Sequence, residues 1–159
     1  MNIKGFTLIE TLIALICFAG LSLLGVISAS FLKYNHERQV IIDEIRVAIQ
    51  YAKIQAATRG SPVYLTPFDH QSHNWSSGMK LTQYNSKKNA MELLYQWEWH
   101  HPRWSITWNG VHSLNKIILS YNPISTMSNG KFVISNPYTK EHLIIVLNRL
   151  GRVKVKSDS

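Results

Sequence analysis

The sequence predicts an α+β chain: one long N-terminal helix, its first half suited to a membrane, carrying a C-terminal antiparallel β domain. Three observations predict it. An apolar run from Phe6 to Leu32 is broken by one acid, Glu10. Apolar residues then recur at three- and four-residue spacings as far as Ala56. After Pro62 the pattern changes to short strand-like runs divided by turn dipeptides.

No side chain from Thr11 to Leu32 is charged, and about 20 apolar residues suffice for a helix to cross a hydrocarbon core of ~30 Å. A cleaved secretory signal has a shorter apolar core, with its small-residue cleavage site after that core. Here Gly5 comes before it. A plain signal-anchor helix accounts for neither the Gly5-Phe6 junction nor Glu10. A carboxylate near the end of a membrane helix is costly, which marks Glu10 as a functional position with a partner to be sought. Lys4-Gly5-Phe6-Thr7-Leu8-Ile9-Glu10 resembles the class III leader of type IV pilins and type II secretion pseudopilins. The resemblance implies that a prepilin peptidase cuts between Gly5 and Phe6 and methylates the new N-terminal Phe6. It also implies that Glu10 pairs with the terminal amine of a neighbouring subunit.

Elementary chemistry agrees with that resemblance. An ammonium at Phe6 and a carboxylate at Glu10 can neutralise each other between adjacent helices, where either charge alone is strongly penalised. Lys4 favours a cytoplasmic N-terminus and an outward C-terminal domain. Ala14, Ala19, Gly20, Ser22, Gly25, Ser28 and Ala29 are small enough to let helices approach closely. Gly20 and Gly25 lower helix propensity in mid-span, so local softening is expected there.

Beyond the apolar run, Ile41, Ile45, Ala48, Ile49, Ala52 and Ala56 form a stripe, with Glu37, Arg38, Glu44, Arg46 and Lys53 between them. The spacing predicts one helix from about Phe6 to Arg59, stopped by Gly60-Ser61-Pro62, with its stripe laid against the β domain. Strands are expected at Val63-Tyr64-Leu65, Gly78 to Thr82, Glu92 to Trp99, Arg103 to Trp108, Lys116 to Tyr121, Lys131 to Ser135, His142 to Leu147 and Arg152 to Val155. Asn85 to Asn89 reads as a polar turn and Asn109-Gly110 as a tight one. Asn122-Pro123, Asn129-Gly130, Asn136-Pro137 and Gly151 divide the remaining strands.

Further stretches resemble the GspH/FimT family of type IV minor pilins and type II secretion pseudopilins. They are Ala52 to Leu65 at the helix end, Trp75-Ser76-Ser77-Gly78, Asn129 to Ile134, and Val146 to Val153 with its Gly151-Arg152 pair. The resemblance implies a β-sandwich-like domain of two antiparallel sheets on a long helix. The expected organisation is a leader at 1–5, a transmembrane and assembly helix at 6–32, an amphipathic extension at 33–60 and a β domain at 61–159.

Composition narrows the function classes. The chain has 159 residues, a formal net charge of +8 and a pI near 9.7, a balance that points to an anionic partner such as nucleic acid or a membrane surface. The one cysteine, Cys17, lies in the apolar run, so no intrachain disulfide is possible. No Ser-His-Asp order, nucleophile elbow or phosphate loop is present, and a catalytic role has no support. His70, His73, His100 and His101 have metal-ligand chemistry but no cysteine or dense carboxylate cluster beside them. They are expected to be solvated, with no metal or cofactor. Trp97, Trp99, Trp104 and Trp108 supply either a core face or, with Arg103, His100 and His101, a platform for stacking bases.

The tail offers a third feature. As a strand, Arg152, Lys154 and Lys156 share one face and Val153 and Val155 the other, with Arg149 just before the glycine. This is either a solvated edge strand guarded by charge or a phosphate-binding strip. In DNA-binding FimT-like pilins the resemblance implies a Gly-Arg-x-Arg motif here. Lys154 stands in for its second arginine, which keeps the charge but loses the bidentate fork. Two functions are therefore expected. One is a minor pilin that binds double-stranded DNA through Arg149, Arg152, Lys154 and Lys156 for natural transformation. The other is a minor pseudopilin of type II secretion that does not bind DNA. Both imply a prepilin peptidase and other pilins or pseudopilins as partners. Both imply a single-pass protein of the bacterial inner membrane with its β domain in the periplasm, built into a pilus or pseudopilus after assembly.

Overall fold

A single helix, α1, runs unbroken from Leu8 to Arg59 in the computed structural model of the chain. The structure describes residues 7–69, 73–111, 113–122 and 127–157, without the side chains of residues 23–35 and 157. α1 begins in a capping box. Thr7 Oγ1 accepts from the Glu10 backbone N–H at 3.4 Å, while Glu10 Oε2 accepts from Thr7 N–H at 2.8 Å and from Thr7 Oγ1 at 2.9 Å. It ends where expected, at Gly60, whose φ of 62° continues the chain in a left-handed conformation. The backbone is helical through Gly20 and Gly25, with no break at the expected softening.

The chain forms two compact units, Met1–Ile41 and Ile42–Ser159. In the first, Leu8, Ile9, Phe18 and Leu21 are between 66% and 83% exposed. Thr11 and Ser22 return their hydroxyls to the Leu8 and Phe18 carbonyls at 2.8 Å each, so both hydroxyls are satisfied inside the helix. Among the described residues no helix is long and apolar enough to cross a membrane. The run that predicts a crossing extends to Leu32, through side chains outside the described ones.

The second unit joins the end of α1 to eight strands in two antiparallel sheets. One sheet has the order β3-β2-β1-β5, from β1 (Val63–Pro67), β2 (Gly78–Asn85), β3 (Ala90–Glu98) and β5 (Ile117–Leu119). The other has the order β4-β6-β7-β8, from β4 (Ser105–Gly110), β6 (Gly130–Asn136), β7 (Glu141–Leu147) and β8 (Val153–Ser157). Alternation assigns each sheet a buried face: Val63, Leu65, Met79, Leu81, Ile117 and Leu119 on the first, and Ile106, Trp108, Phe132, Ile134, Ile145 and Leu147 on the second. Ile45, Ala48, Ile49, Ala52 and Ala56 of α1 are fully buried, as their spacing predicts. Tyr51 stacks beside Tyr95 and Trp97 of β3, with ring centroids 5.3 and 5.7 Å away.

The tight turn expected at Asn109-Gly110 is absent, whereas Asn129-Gly130 still divides β5 from β6. Asn109 and Gly110 lie inside β4, paired with Lys131 and Gly130 of β6, so Asn109-Gly110 is not a tight turn and Gly130 opens a strand. Neither glycine has a left-handed φ. Both are required by the indole of Trp108, whose Nε1 donates to the Ser113 carbonyl at 3.0 Å. A Cβ on Gly110 would meet Nε1 at 2.4 Å, and one on Gly130 would meet Trp108 Cζ2 at 2.7 Å and Asn109 O at 2.5 Å. The strand start expected at Arg103 moves to Ser105, and β5 is shorter than Lys116 to Tyr121. The Asn85–Asn89 turn is present, with Asn89 at a φ of 49°. Asn85 Oδ1 accepts from Lys87 and Lys88 N–H.

Gly130→Ala is expected to destabilise the chain by about 1–3 kcal/mol through overpacking against backbone, read as a lower urea midpoint with an unchanged slope. A second prediction concerns acid. The Asn85 side-chain amide donates to Glu92 at 2.9 Å and, with Lys88 and then Arg59 nearby, holds the Glu92 carboxyl below its ordinary value. The stabilisation is present above the unfolded-state pKa and is lost as pH falls through the lowered folded one. Asn85→Ala should raise the Glu92 midpoint in a carboxyl-carbon NMR titration, and an unmoved midpoint would contradict this account.

Candidate functional site

The basic tail leaves a turn that is closed by hydrogen bonds and held by α1. Asn148 Oδ1 accepts from Leu150 N–H at 3.0 Å and from Arg152 N–H at 2.8 Å, and Asn148 N–H donates to Arg152 O at 3.1 Å. Gly151 takes a φ of 68°. Its missing Cβ leaves room for Met127 Cε and Lys53 Cδ, which a Cβ would meet at 2.5 and 2.7 Å. Lys53 of α1 donates to the Leu150 and Gly151 carbonyls at 3.2 and 3.4 Å. The helix thus anchors the turn from which β8 departs.

Register then assigns the faces. Val153 and Val155 sit opposite buried Leu147 and Ile145 of β7, whereas Lys154 and Lys156 sit opposite Val146 and Ile144 on the other face. Val146 in turn pairs with Lys131 of β6, and Lys131 with Asn109 of β4. Lys131 and Lys154 therefore share a face two strands apart, about 10 Å at the usual strand spacing. Sequence reading did not join Lys131 to the tail. Its sign was the alternation of β6, which leaves Lys131 exposed between Gly130 and buried Phe132.

The outward rows of this sheet are Asn109-Lys131-Val146-Lys154, Thr107-Val133-Ile144-Lys156 and Ser105-Ser135-His142. None contains an acid. Among the described residues no carboxylate forms an ion pair with Lys131, Arg149, Arg152, Lys154 or Lys156. An open groove of about 570 Å³ lies between Lys131 and Arg149, floored by Gly130, Val146 and Leu147. Such a surface can hold a polyanion by its backbone without reading a base.

The other candidates resolve differently. Trp99, Trp104 and Trp108 are buried, so three of the four tryptophans belong to the core, and half-buried Trp97 is stacked on Tyr95 and Tyr51. The stacking platform is not formed. His101 Nε2 meets Glu44 Oε2 of α1 at 2.5 Å, joining the loop after β3 to the helix, while His73 and His100 are exposed. His70 lies outside the described residues. Among the described residues no three His, Cys, Asp or Glu side chains are placed to hold a metal. Gly5 and Phe6 also lie outside the described residues. Glu10 is engaged with Thr7, a capping role that Thr7-x-x-Glu10 before an apolar run signals in the sequence.

Residues 42–151 match the model of the family described as type II transport protein GspH. The chain belongs to the GspH family. This is a family of structural pilin subunits, not of enzymes. Two crystal forms of the type IV minor pilin FimU of Pseudomonas aeruginosa share the fold. One aligns with a TM-score of 0.56 over 74% of this chain and 91% of that one, at 15% identity. The other aligns with a TM-score of 0.60 over 77% and 90%, also at 15% identity. No curated protein matches in sequence. The GspH match includes Lys131 and Arg149 and ends before Arg152, Lys154 and Lys156. It begins after Glu10, so neither the leader nor the basic edge strand is part of it.

Proposed function

We propose that this GspH-family subunit is a minor pilin whose outward β-sheet face binds the backbone of double-stranded DNA during uptake. The observation that carries the proposal is the acid-free surface holding Lys131, Arg149, Lys154 and Lys156, with exposed Arg152 in the turn that leads into β8. The five cations contact phosphates, which makes binding insensitive to sequence and sensitive to salt. The FimU structures, those of a type IV minor pilin, support the pilus setting through the shared fold.

The N-terminal region supplies assembly. Prepilin peptidase cuts between Gly5 and Phe6 and methylates Phe6, leaving the apolar half of α1 in the inner membrane and the β domain in the periplasm. Exposed Leu8, Ile9, Phe18 and Leu21 suit lipid or neighbouring helices. Glu10 exchanges its Thr7 cap for the amine of an adjacent subunit. A second reading, a minor pseudopilin that serves type II secretion without DNA, is favoured by the description of the matching family as a type II transport protein.

DNA titration over a salt series separates the two. Five phosphate contacts give a log-log slope of about −4.5, and Lys131→Gln should shallow it by about 0.9, as much as Lys154→Gln does. No binding near 50 mM salt would leave the secretion reading alone. Glu10→Ala should preserve insertion and cleavage but reduce filament incorporation, measured by shearing and immunoblotting. Gly5→Leu should leave the leader uncut, and a mature-length chain from that variant would remove the prepilin assignment.

A further inference from the structure

The four edge strands of the two sheets are finished in different ways. The free side of β4 is covered by the 74–75 segment: Trp75 N–H donates to Ile106 O at 2.8 Å, and Asn74 bridges to Thr107. The free side of β5 is covered by Ser128, whose N–H donates to Ile118 O at 2.8 Å and whose Oγ accepts from Ile118 N–H at 2.9 Å. β3 and β8 end their sheets with no backbone partner on the outer side among the described residues. An open edge presents unpaired N–H and C=O groups to another chain unless something guards it, most often lysine. β8 is guarded by Lys154 and Lys156. β3 contains two acids, Glu92 and Glu98, and no Lys or Arg, and its Met91, Leu93 and Tyr95 are 52%, 52% and 47% exposed.

We propose that the open edge of β3, over Tyr95–Glu98, docks the β8 edge of a second copy of this chain. Charge and apolar pattern both select that partner. β3 shifts register between Leu81 and Thr82 of β2, and beyond the shift Gln96 and Glu98 share one face while Tyr95 and Trp97 share the other, beside Tyr51. On β8, Lys154 and Lys156 share one face and Val153 and Val155 the other. Laid edge to edge, the lysines adjoin Gln96 and Glu98, and the valines adjoin Tyr95 and Trp97. Opposite charges and aromatic–β-branched pairs both stabilise neighbouring strands. Glu92 lies before the register shift and Glu98 within Tyr95–Glu98, so Glu98, one of whose oxygens already accepts from Gln96 Nε2 at 3.0 Å, is the acid beside the lysines. The contact joins different surfaces on the two copies. Being heterologous, it builds a ring where the rotation between copies closes and an open row where it does not. It does not depend on DNA binding.

The test uses the full chain in detergent micelles, mixed from isotopically light and heavy preparations. Zero-length carbodiimide coupling, which joins a lysine amine to a carboxylate, should yield mixed-isotope peptides linking Lys154 or Lys156 to Glu98. Sedimentation should show association reduced about tenfold by Glu98→Lys alone, and equally by Lys154→Glu with Lys156→Glu, because like charges are then juxtaposed. Combining the three changes should restore association, though not DNA binding. Tyr95→Lys, which adds a guarding lysine to the exposed edge, should abolish association and leave the DNA salt slope unchanged. Association that persists in every variant, cross-links that map elsewhere, or failure of the combined reversal would overturn the proposal.

Discussion

The burial of one stripe of α1, from Ile45 to Ala56, is the constraint on which the β unit depends. Ile45, Ala48, Ile49, Ala52 and Ala56 are fully buried, and three of the five are alanines that allow close approach. Once that stripe is fixed, the polar residues flanking it become tethers. Glu44 meets His101 beyond β3, Lys53 holds the carbonyls of the turn before β8, and Arg59 donates to Gln83 of β2 at 3.1 Å. Contacts from one helix therefore orient the exit of β3, the middle of the first sheet and the start of β8.

Those tethers give the basic strip its rigidity. A run of cations on a mobile tail loses conformational freedom on binding, whereas cations on a strand leaving an anchored turn have already lost much of it. Val153 and Val155 fix which side the lysines occupy, because a slip of one residue would turn the valines outward. The lysines that guard the open edge are also the ones proposed to contact phosphates. If β8 docks on a neighbouring β3, Lys154 and Lys156 are partly neutralised by Glu98, and subunits at the end of a row keep the freest cations.

The N-terminal acid has one partner in the described residues, Thr7. Glu10 satisfies the first turn of α1 through Thr7, which makes the lone helix competent without a neighbour. If that cap is exchanged for a subunit's amine, as proposed, assembly is linked to the opening of a local bond.

Local chemistry alone determined the helix limits, the Ile/Ala stripe, the alternation of the strands, the leader-like start and the valine–lysine alternation of the tail. Each follows from a period or from a nearest-neighbour preference that holds wherever the segment lies. Tertiary structure decided what depends on distant partners. Asn109-Gly110 has the composition of a tight turn, but opposite Gly130 and beneath the Trp108 indole its small size serves close packing instead. The tryptophans divide between core and edge according to what packs on them: Trp108 is buried against Phe132 of the neighbouring strand, whereas Trp97 lies half-buried beside Tyr51 and Tyr95 on the edge strand. Lys131 joins Lys154 only because β7 lies between them in register, and β3 is open only because no other segment among the described residues covers its outer side. Sequence carries the pattern within a strand; pairing across strands carries the site.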